Sequence, residues 1–266
     1  MSNKVRVVVP IYKSSLSDTE KISIDRCFKI LSARNITMVK PRGLDTDLLE
    51  KEYPFYSIEE FDTDYFASIK GYNRLLLSTE FYSRFQGDEY MLIVQPDVYI
   101  FYDDLDYWLN EGYDYVGAPW ISNSLLSHYI HYVKMKFSRC LYGEKNRVYR
   151  FETRNRVGNG GFSLRKISRH LELAVTLKDQ ITHYLNNQTS HIFNEDVFWS
   201  IEPSKNGLEH KTPTAQEALR FAFDINPKRL YKLTGEKLPM AAHGWNKARS
   251  IKFWQPIIDS NNINRY

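Results

Sequence analysis

The sequence has 266 residues, 42% hydrophobic and 26% charged, with a formal net charge of +4; this balance fits one globular unit with a sizeable core and excludes a disordered or fibrous chain. Two cysteines, Cys27 and Cys140, without CxxC spacing, give no disulfide framework and no structural zinc site. No run approaches the 18 apolar residues of a membrane-spanning helix, and MSNKVRVVVP has no signal-peptide core, so a soluble, cytoplasmic chain is expected.

The β-branched run VRVVVPIY at 5–12 predicts the buried first strand of a parallel sheet. Ile22, Ile24, Cys27, Phe28, Ile30 and Leu31 among charged residues predict a helix over 18–33, capped by Asp18. ITMVK at 36–40 is the second strand, stopped by Pro41-Arg42-Gly43, and 53–61 an irregular third. Ile69, Tyr72, Leu76, Thr79 and Tyr82 predict one helix over 68–85. EYMLIV at 89–94 is a central strand running through Gln95-Pro96-Asp97 into VYIF. A short helix over Asp104 to Asn110 follows, then strands at YDYVGAPW (113–120) and GFSLRK (161–166). Ile167, Leu171, Ala174, Leu177, Ile181 and Leu185 mark one long helix. Strands alternating with helices predict an α/β sandwich with a mainly parallel sheet.

Residues 121–156 are too many for an ordinary connection. Leu126, Tyr129, Val133, Phe137 and Cys140 repeat there at helical spacing. Residues 134–156 hold eight basic and two acidic residues, a net +6 that leaves the remaining chain at −2. The expectation is a basic helical insertion. Either its apolar stripe packs on the core with the charges in water, or it leans on an anionic membrane or a lipid diphosphate.

Four local signals carry chemistry. Asp97 lies at the carboxyl end of the central strand, where open α/β sheets bind ligands; it can hold a metal or a ribose hydroxyl, or merely cap a turn. Gly158, Gly160 and Gly161 surround Asn159 in VGNGGFSLR, a backbone that something approaches closely, and a ligand is favoured over a tight turn. Asn194-Glu195-Asp196 opens a helix; the acids serve the helix dipole with Asn194 as cap, or one is a base aimed into a cleft. His243 stands in the crowded setting AAHGW.

In this order the motifs resemble the GT-A class of glycosyltransferases. VVPIY at 8–12 looks like its first donor-binding strand, QPD at 95–97 occupies the DxD position, GNGGFSLR resembles the strand beneath the donor sugar, NEDVFWS the helix that supplies the base, and HGW the late metal-binding histidine. DYVGAPW and VGNGGFSLR are also similar to a bacterial group of glycosyltransferase-like proteins found among polysaccharide genes. The resemblance implies a single domain over 1–266, with a nucleotide-binding half at about 1–110 and an acceptor half at 157–250. It implies a nucleotide-sugar donor, UDP by default, bound by Pro10, Tyr12, Lys70, Arg74, Asp97, Asn159, Gly160 and Gly161. It implies Mn2+ or Mg2+ on Asp97 and His243, and Asp196 as the base of an inverting transfer, with Glu195 in reserve. The acceptor is a glycan or lipid-linked hydroxyl, at the inner membrane face, with no nucleic acid involved. Gln95 replaces the first DxD acid, so a metal-free site is an alternative in which Lys70, Arg74, Lys247 or Arg249 neutralises the diphosphate. A retaining transfer and a non-catalytic sugar-nucleotide or carbohydrate-binding protein also stay open. A nucleotidyltransferase is disfavoured, because IYKSSLSD after strand one has no glycine.

Overall fold

The computed structural model describes residues 4–121, 153–188, 193–260 and 264–266. Strand β1 (Val5–Pro10) is buried along nearly its whole length, as its β-branched run requires. Strand β2 (Asn35–Pro41) lies parallel beside it, with β3 (Ser57–Phe61) parallel beyond. On its other side lies β4 (Tyr90–Val94), also parallel. Strands β6 (Tyr115–Pro119) and β7 (Val157–Lys166) complete a six-stranded sheet of order β3-β2-β1-β4-β7-β6, with β7 antiparallel to both its neighbours. A small second sheet joins β5 (Val98–Ile100), β9 (Ala241–His243) and β8 (Ala222–Phe223) in that order.

The helices are α1 (Asp18–Ile30), α2 (Asp47–Glu52), α3 (Ile69–Leu76), α4 (Thr79–Ser83), α5 (Leu105–Glu111), α6 (Ile167–Thr176), α7 (Lys178–Asn186), α8 (Glu195–Lys205), α9 (Pro227–Leu233) and α10 (Ile251–Ser260). Alternation along β1 divides the core between the two faces of the sheet. Val5, Val7 and Val9 pack with Ile24, Cys27, Trp245 and Trp254 on one face. Val8 packs with Phe81, Met91, Ile93, Phe198 and Trp199 on the other. The result is the expected mainly parallel sheet between helical layers.

Local expectations shift in four places. The N-cap of α1 is Ser17, not Asp18: the Glu20 carboxylate accepts from the Ser17 N–H at 2.8 Å and hydroxyl at 2.6 Å. The helix expected over 68–85 breaks at Leu77, because the Ser78 hydroxyl accepts from the Phe81 N–H at 3.1 Å and starts α4. The long helix after β7 breaks at Leu177. The glycine-rich segment is strand from Val157 onward, so β7 is ten residues long. Most of the basic insertion, including Leu126, Tyr129, Val133, Phe137 and Cys140, lies outside the described residues. Of its basic side chains Arg154 and Arg156 are described, and Arg156 donates to the Ser200 carbonyl of α8 at 2.9 Å. Among the described residues no helix is long and apolar enough to cross a membrane.

Candidate active site

The carboxyl ends of β1 and β4 meet the start of β7, where the Gln95 N–H donates to the Gly161 carbonyl at 2.8 Å. The β7 glycines exist for close approach, and protein side chains make that approach. A Cβ on Gly158 would lie 2.0 Å from the Trp120 ring, one on Gly160 1.9 Å from Glu195 Oε1, and one on Gly161 2.4 Å from His243 Nε2 and 2.8 Å from Gln95 Oε1. Trp120, Glu195, Gln95 and His243 occupy the space on the Cβ side of these glycines, and Gly160 and Gly161 also line the cavity described below.

Asn159 sits between these glycines with φ +87°, in the left-handed region that a non-glycine residue seldom adopts. Its side-chain oxygen accepts from the Gly161 N–H at 2.8 Å, which holds the turn, and its amide nitrogen lies 2.8 Å from His243 Nδ1. Its own N–H donates to Asp196 Oδ2 at 3.0 Å. One strained residue thus ties the late histidine to the acid at the start of α8.

Pairing of β5 with β9 places Val98 opposite His243, and the Gly244 N–H donates to the Asp97 carbonyl at 2.9 Å. Asp97 is thereby gathered with residues about 150 positions later in the chain. Its Oδ1 lies 3.2 Å from His243 Nε2, and its Oδ2 3.0 Å from Lys247 Nζ. Burial pushes the Asp97 carboxyl up, but His243 and Lys247 outweigh it and hold the group well below the usual carboxylate range. Burial alone would lower the His243 imidazole; Asp224, with Oδ1 3.4 Å from Nδ1, and Asp97 raise it to about 9. The Asn159 amide opposes a proton on Nδ1, since Gly161 orients it with N–H towards the ring, but two flanking carboxylates outweigh one amide dipole.

Glu195 and Asp196 diverge sharply. Glu195 is buried and faces the fully buried Arg165 guanidinium through contacts of 2.9 and 3.0 Å. The Tyr82 hydroxyl accepts from Arg165 at 2.9 Å, the Ser163 hydroxyl at 3.0 Å, and the Tyr115 ring lies 5.6 Å away. Burial pushes the Glu195 carboxyl up to about 7, against the pull of Arg165; a guanidinium cannot yield its proton, and the two-point contact keeps the pair charged. Asp196 accepts only backbone N–H groups, from Asn159 and Val197, and no ion pair reaches it among the described residues. Burial raises its pKa against those hydrogen bonds. The side chain capping α8 comes from outside the segment: Asn73 of α3 accepts from the Glu195 N–H at 3.1 Å and donates to the Asn194 side chain at 3.1 Å, whereas Asn194 makes no capping bond of its own.

These groups surround a cavity of about 530 Å3, which Pro10, Tyr12, Asn159, Gly160, Gly161, Glu195, Asp196 and His243 all line. Asp97 lies directly behind His243 and Lys247. Lys70 and Arg74 are not part of the lining: the cavity takes Ile69, Tyr72 and Asn73 from α3, while Arg74 lies 4.9 Å over the Tyr65 ring. Tyr72, Asn73, Asp224 and Arg165 were not expected at the site from the sequence. Arg165 had a signal, a lone charge within the otherwise apolar strand GFSLR; Asp224 had a weaker one, following the short run FAF. The residues present fit a divalent cation in one respect: Asp97 Oδ1 is buried without a hydrogen-bond partner and faces His243 Nε2. A cation there would have to displace the Nε2 proton of the raised His243 imidazolium, with the remaining Nδ1 proton directed to Asp224. No group of three carboxylate, histidine or cysteine side chains converges among the described residues, so phosphate oxygens and water would complete such a site.

A family model described as a protein of unknown function, DUF5672, matches residues 55–243. No curated protein matches the sequence. Among solved structures, the chain is similar to the galactosyltransferase LgtC in complex with donor and acceptor sugar analogs, with TM-score 0.56 and 10% identity over 96% of this chain and 95% of that one. It is similar to mouse xyloside xylosyltransferase 1, with TM-score 0.53 and 9% identity over 92% and 98%. It is also similar to the glycosyltransferase GlyE of Streptococcus pneumoniae, with TM-score 0.50 and 12% identity over 97% of this chain but 62% of GlyE. At these identities the likeness is one of fold, the GT-A-like arrangement expected from the order of the motifs.

Proposed function

We propose that this chain, a member of the DUF5672 family, is a glycosyltransferase that moves a sugar from a nucleoside diphosphate sugar to a hydroxyl acceptor. The observation that carries the proposal is a cavity with two chemically distinct ends. His243 and Lys247, balanced by Asp97 and Asp224, form the end that holds the cationic side chains; Asp196, without an ion pair among the described residues, lies at the other. The nucleoside sits against Pro10 and Tyr12, the diphosphate against Lys247, and the sugar over Gly160 and Gly161. In the reaction the bond from the anomeric carbon to the phosphate oxygen breaks and its electron pair leaves with the diphosphate. The acceptor oxygen bonds to that carbon, and Asp196 takes its proton. Lys247 stabilises the leaving charge; Mn2+ or Mg2+ held by Asp97 and His243 would supply further neutralisation there. With Glu195 engaged by Arg165 and Asp224 by His243, no second carboxylate among the described residues of the lining is left unpaired to act as a nucleophile, which favours a single displacement with inversion. UDP is the expected nucleotide, and a glycan or lipid-linked hydroxyl of surface polysaccharide synthesis the expected acceptor.

The rival is a non-catalytic sugar-nucleotide binder, which Gln95 in the first DxD position favours. The test measures binding of UDP, GDP, CDP and dTDP by calorimetry, with and without Mn2+, and then donor turnover. Asp97→Asn should weaken diphosphate binding. Asp196→Asn should keep binding and lose about 10²–10⁴ in rate. Binding without turnover by the wild-type chain across donors and acceptors supports the rival, and no binding at all refutes both.

A further inference from the structure

The polarity of this cavity bears on the sugar itself, on the premise that the site takes a nucleoside diphosphate sugar. Lys247 and His243 are the cationic side chains that line it among the described residues, and both lie at the Asp97 end. From there the wall runs along the backbone of Gly161, against His243, and of Gly160, against Glu195. At the far end stand Glu195 and Asp196. The Arg165 guanidinium, 0% exposed, is spent on Glu195, Tyr82 and Ser163 behind that wall and cannot reach a ligand. Asp196 has only backbone donors. Asn73 and Asn194 beside them are neutral and hydrogen-bonded to each other, Tyr72 is a neutral phenol, and Asp224 adds a further carboxylate to the lining.

A ligand with its diphosphate on Lys247 therefore carries its sugar into a region with two carboxylates and, among the described residues, no cation to spare. A sugar hydroxyl donates to such oxygens. A sugar carboxylate cannot, and it meets like charge at short range in a partly desolvated space, where repulsion is weakly screened. We propose that the donor sugar is uncharged, and that the carboxylate wall of Glu195 and Asp196 rejects uronic acid donors.

Matched donor pairs that differ only at C6 isolate this property: UDP-glucose against UDP-glucuronate, and GDP-mannose against GDP-mannuronate, with UDP and GDP as references. Calorimetry should give a uronate at least tenfold weaker than its neutral partner in whichever nucleotide series binds. In Asp196→Asn, with unchanged thermal stability, the gap should shrink severalfold, because a charge is removed while shape is kept. If Asp196→Asn does not fold, Asp196→Ser, which also removes the charge, replaces it, and the gap should shrink in the same way. A uronate that binds within threefold of its neutral partner, or more tightly, overturns the inference while the glycosyltransferase proposal stands. Failure of every diphosphate to bind overturns both.

Discussion

Removing the charge of Glu195 while keeping its shape, as Glu195→Gln, isolates the ion pair behind the cavity wall. Arg165 is fully buried and its charge is balanced by one carboxylate at 2.9 and 3.0 Å. Breaking a buried pair from one side typically costs about 3–5 kcal/mol, since the surviving charge has no compensation. Glutamine leaves the guanidinium one acceptor and the bonds to Tyr82 and Ser163 remain, so a loss of about 3 kcal/mol is expected. At about 2–4 °C per kcal/mol for a chain of this size class, the melting temperature should fall by about 6–12 °C. The reverse substitution, Arg165→Met, should behave differently. Glu195 can take up a proton, its pKa being already about 7 through burial, and loss of Arg165 raises it further. A group with a raised folded pKa contributes stability at low pH that is lost as pH rises through that value. Arg165→Met should therefore be more stable relative to wild type at pH 5 than at pH 8, and Glu195→Gln should show no such gain. Arg165→Met with Glu195→Leu should recover much of the loss, an apolar pair replacing an ionic one. The assay is urea unfolding, comparing midpoints at constant slope. If Glu195→Gln unfolds within 1 kcal/mol of wild type, or Arg165→Met shows no dependence on pH, Glu195 is not held as a structural ion and its place in the cavity wall must be reassigned.

Gly158→Ala should destabilise by about 1–3 kcal/mol through overpacking, because its Cβ would lie 2.0 Å from the Trp120 ring; adding Trp120→Ala should remove that penalty, and additive losses in the double variant would refute the packing assignment. Stability of the ligand-free protein should fall between pH 6.5 and 9.5. His243 is raised to about 9 from the ordinary imidazole value of about 6.5, so its contribution, on the order of 3 kcal/mol, is complete below 6.5 and lost as pH passes 9. Asp224→Asn should flatten that decline, and an equally steep decline in the variant would place the effect elsewhere.

The sequence made the alternating strands and helices legible, because β1, β2 and β4 are buried on both faces and leave near-continuous apolar runs. Pro10, Tyr12, Asn159, Gly160, Gly161, Glu195, Asp196 and His243, singled out from the sequence, all line one space. The sequence misjudged phase on α3. Ile69, Tyr72 and Asn73 share the inward face through spacing of three and four, which turns Lys70 and Arg74 away; charge suggested them, but helical geometry decides. Arg165 could not be paired with Glu195 from spacing, as the contact spans 30 residues and two elements. The glycines signalled close approach correctly, but sequence cannot tell an approaching ligand from the protein's own indole or carboxylate.

Asn159 shows why these constraints belong together. Glycine would satisfy a φ of +87° at lower conformational cost, yet the position holds an asparagine. Its side chain closes onto the Gly161 N–H and reaches His243, while its backbone N–H reaches Asp196. Gly160 and Gly161 on either side of that reach clear room for Glu195 and His243. The backbone of β7 is thus the physical link between the cationic end of the cavity and its carboxylate end. Its strain is held by three hydrogen bonds, two of them to side chains the chemistry would use. A displacement at His243 when a diphosphate binds must be transmitted through this residue or absorbed by it. In the proposed reaction Asn159 would therefore set the separation between His243, beside the leaving group, and Asp196, which would take the proton.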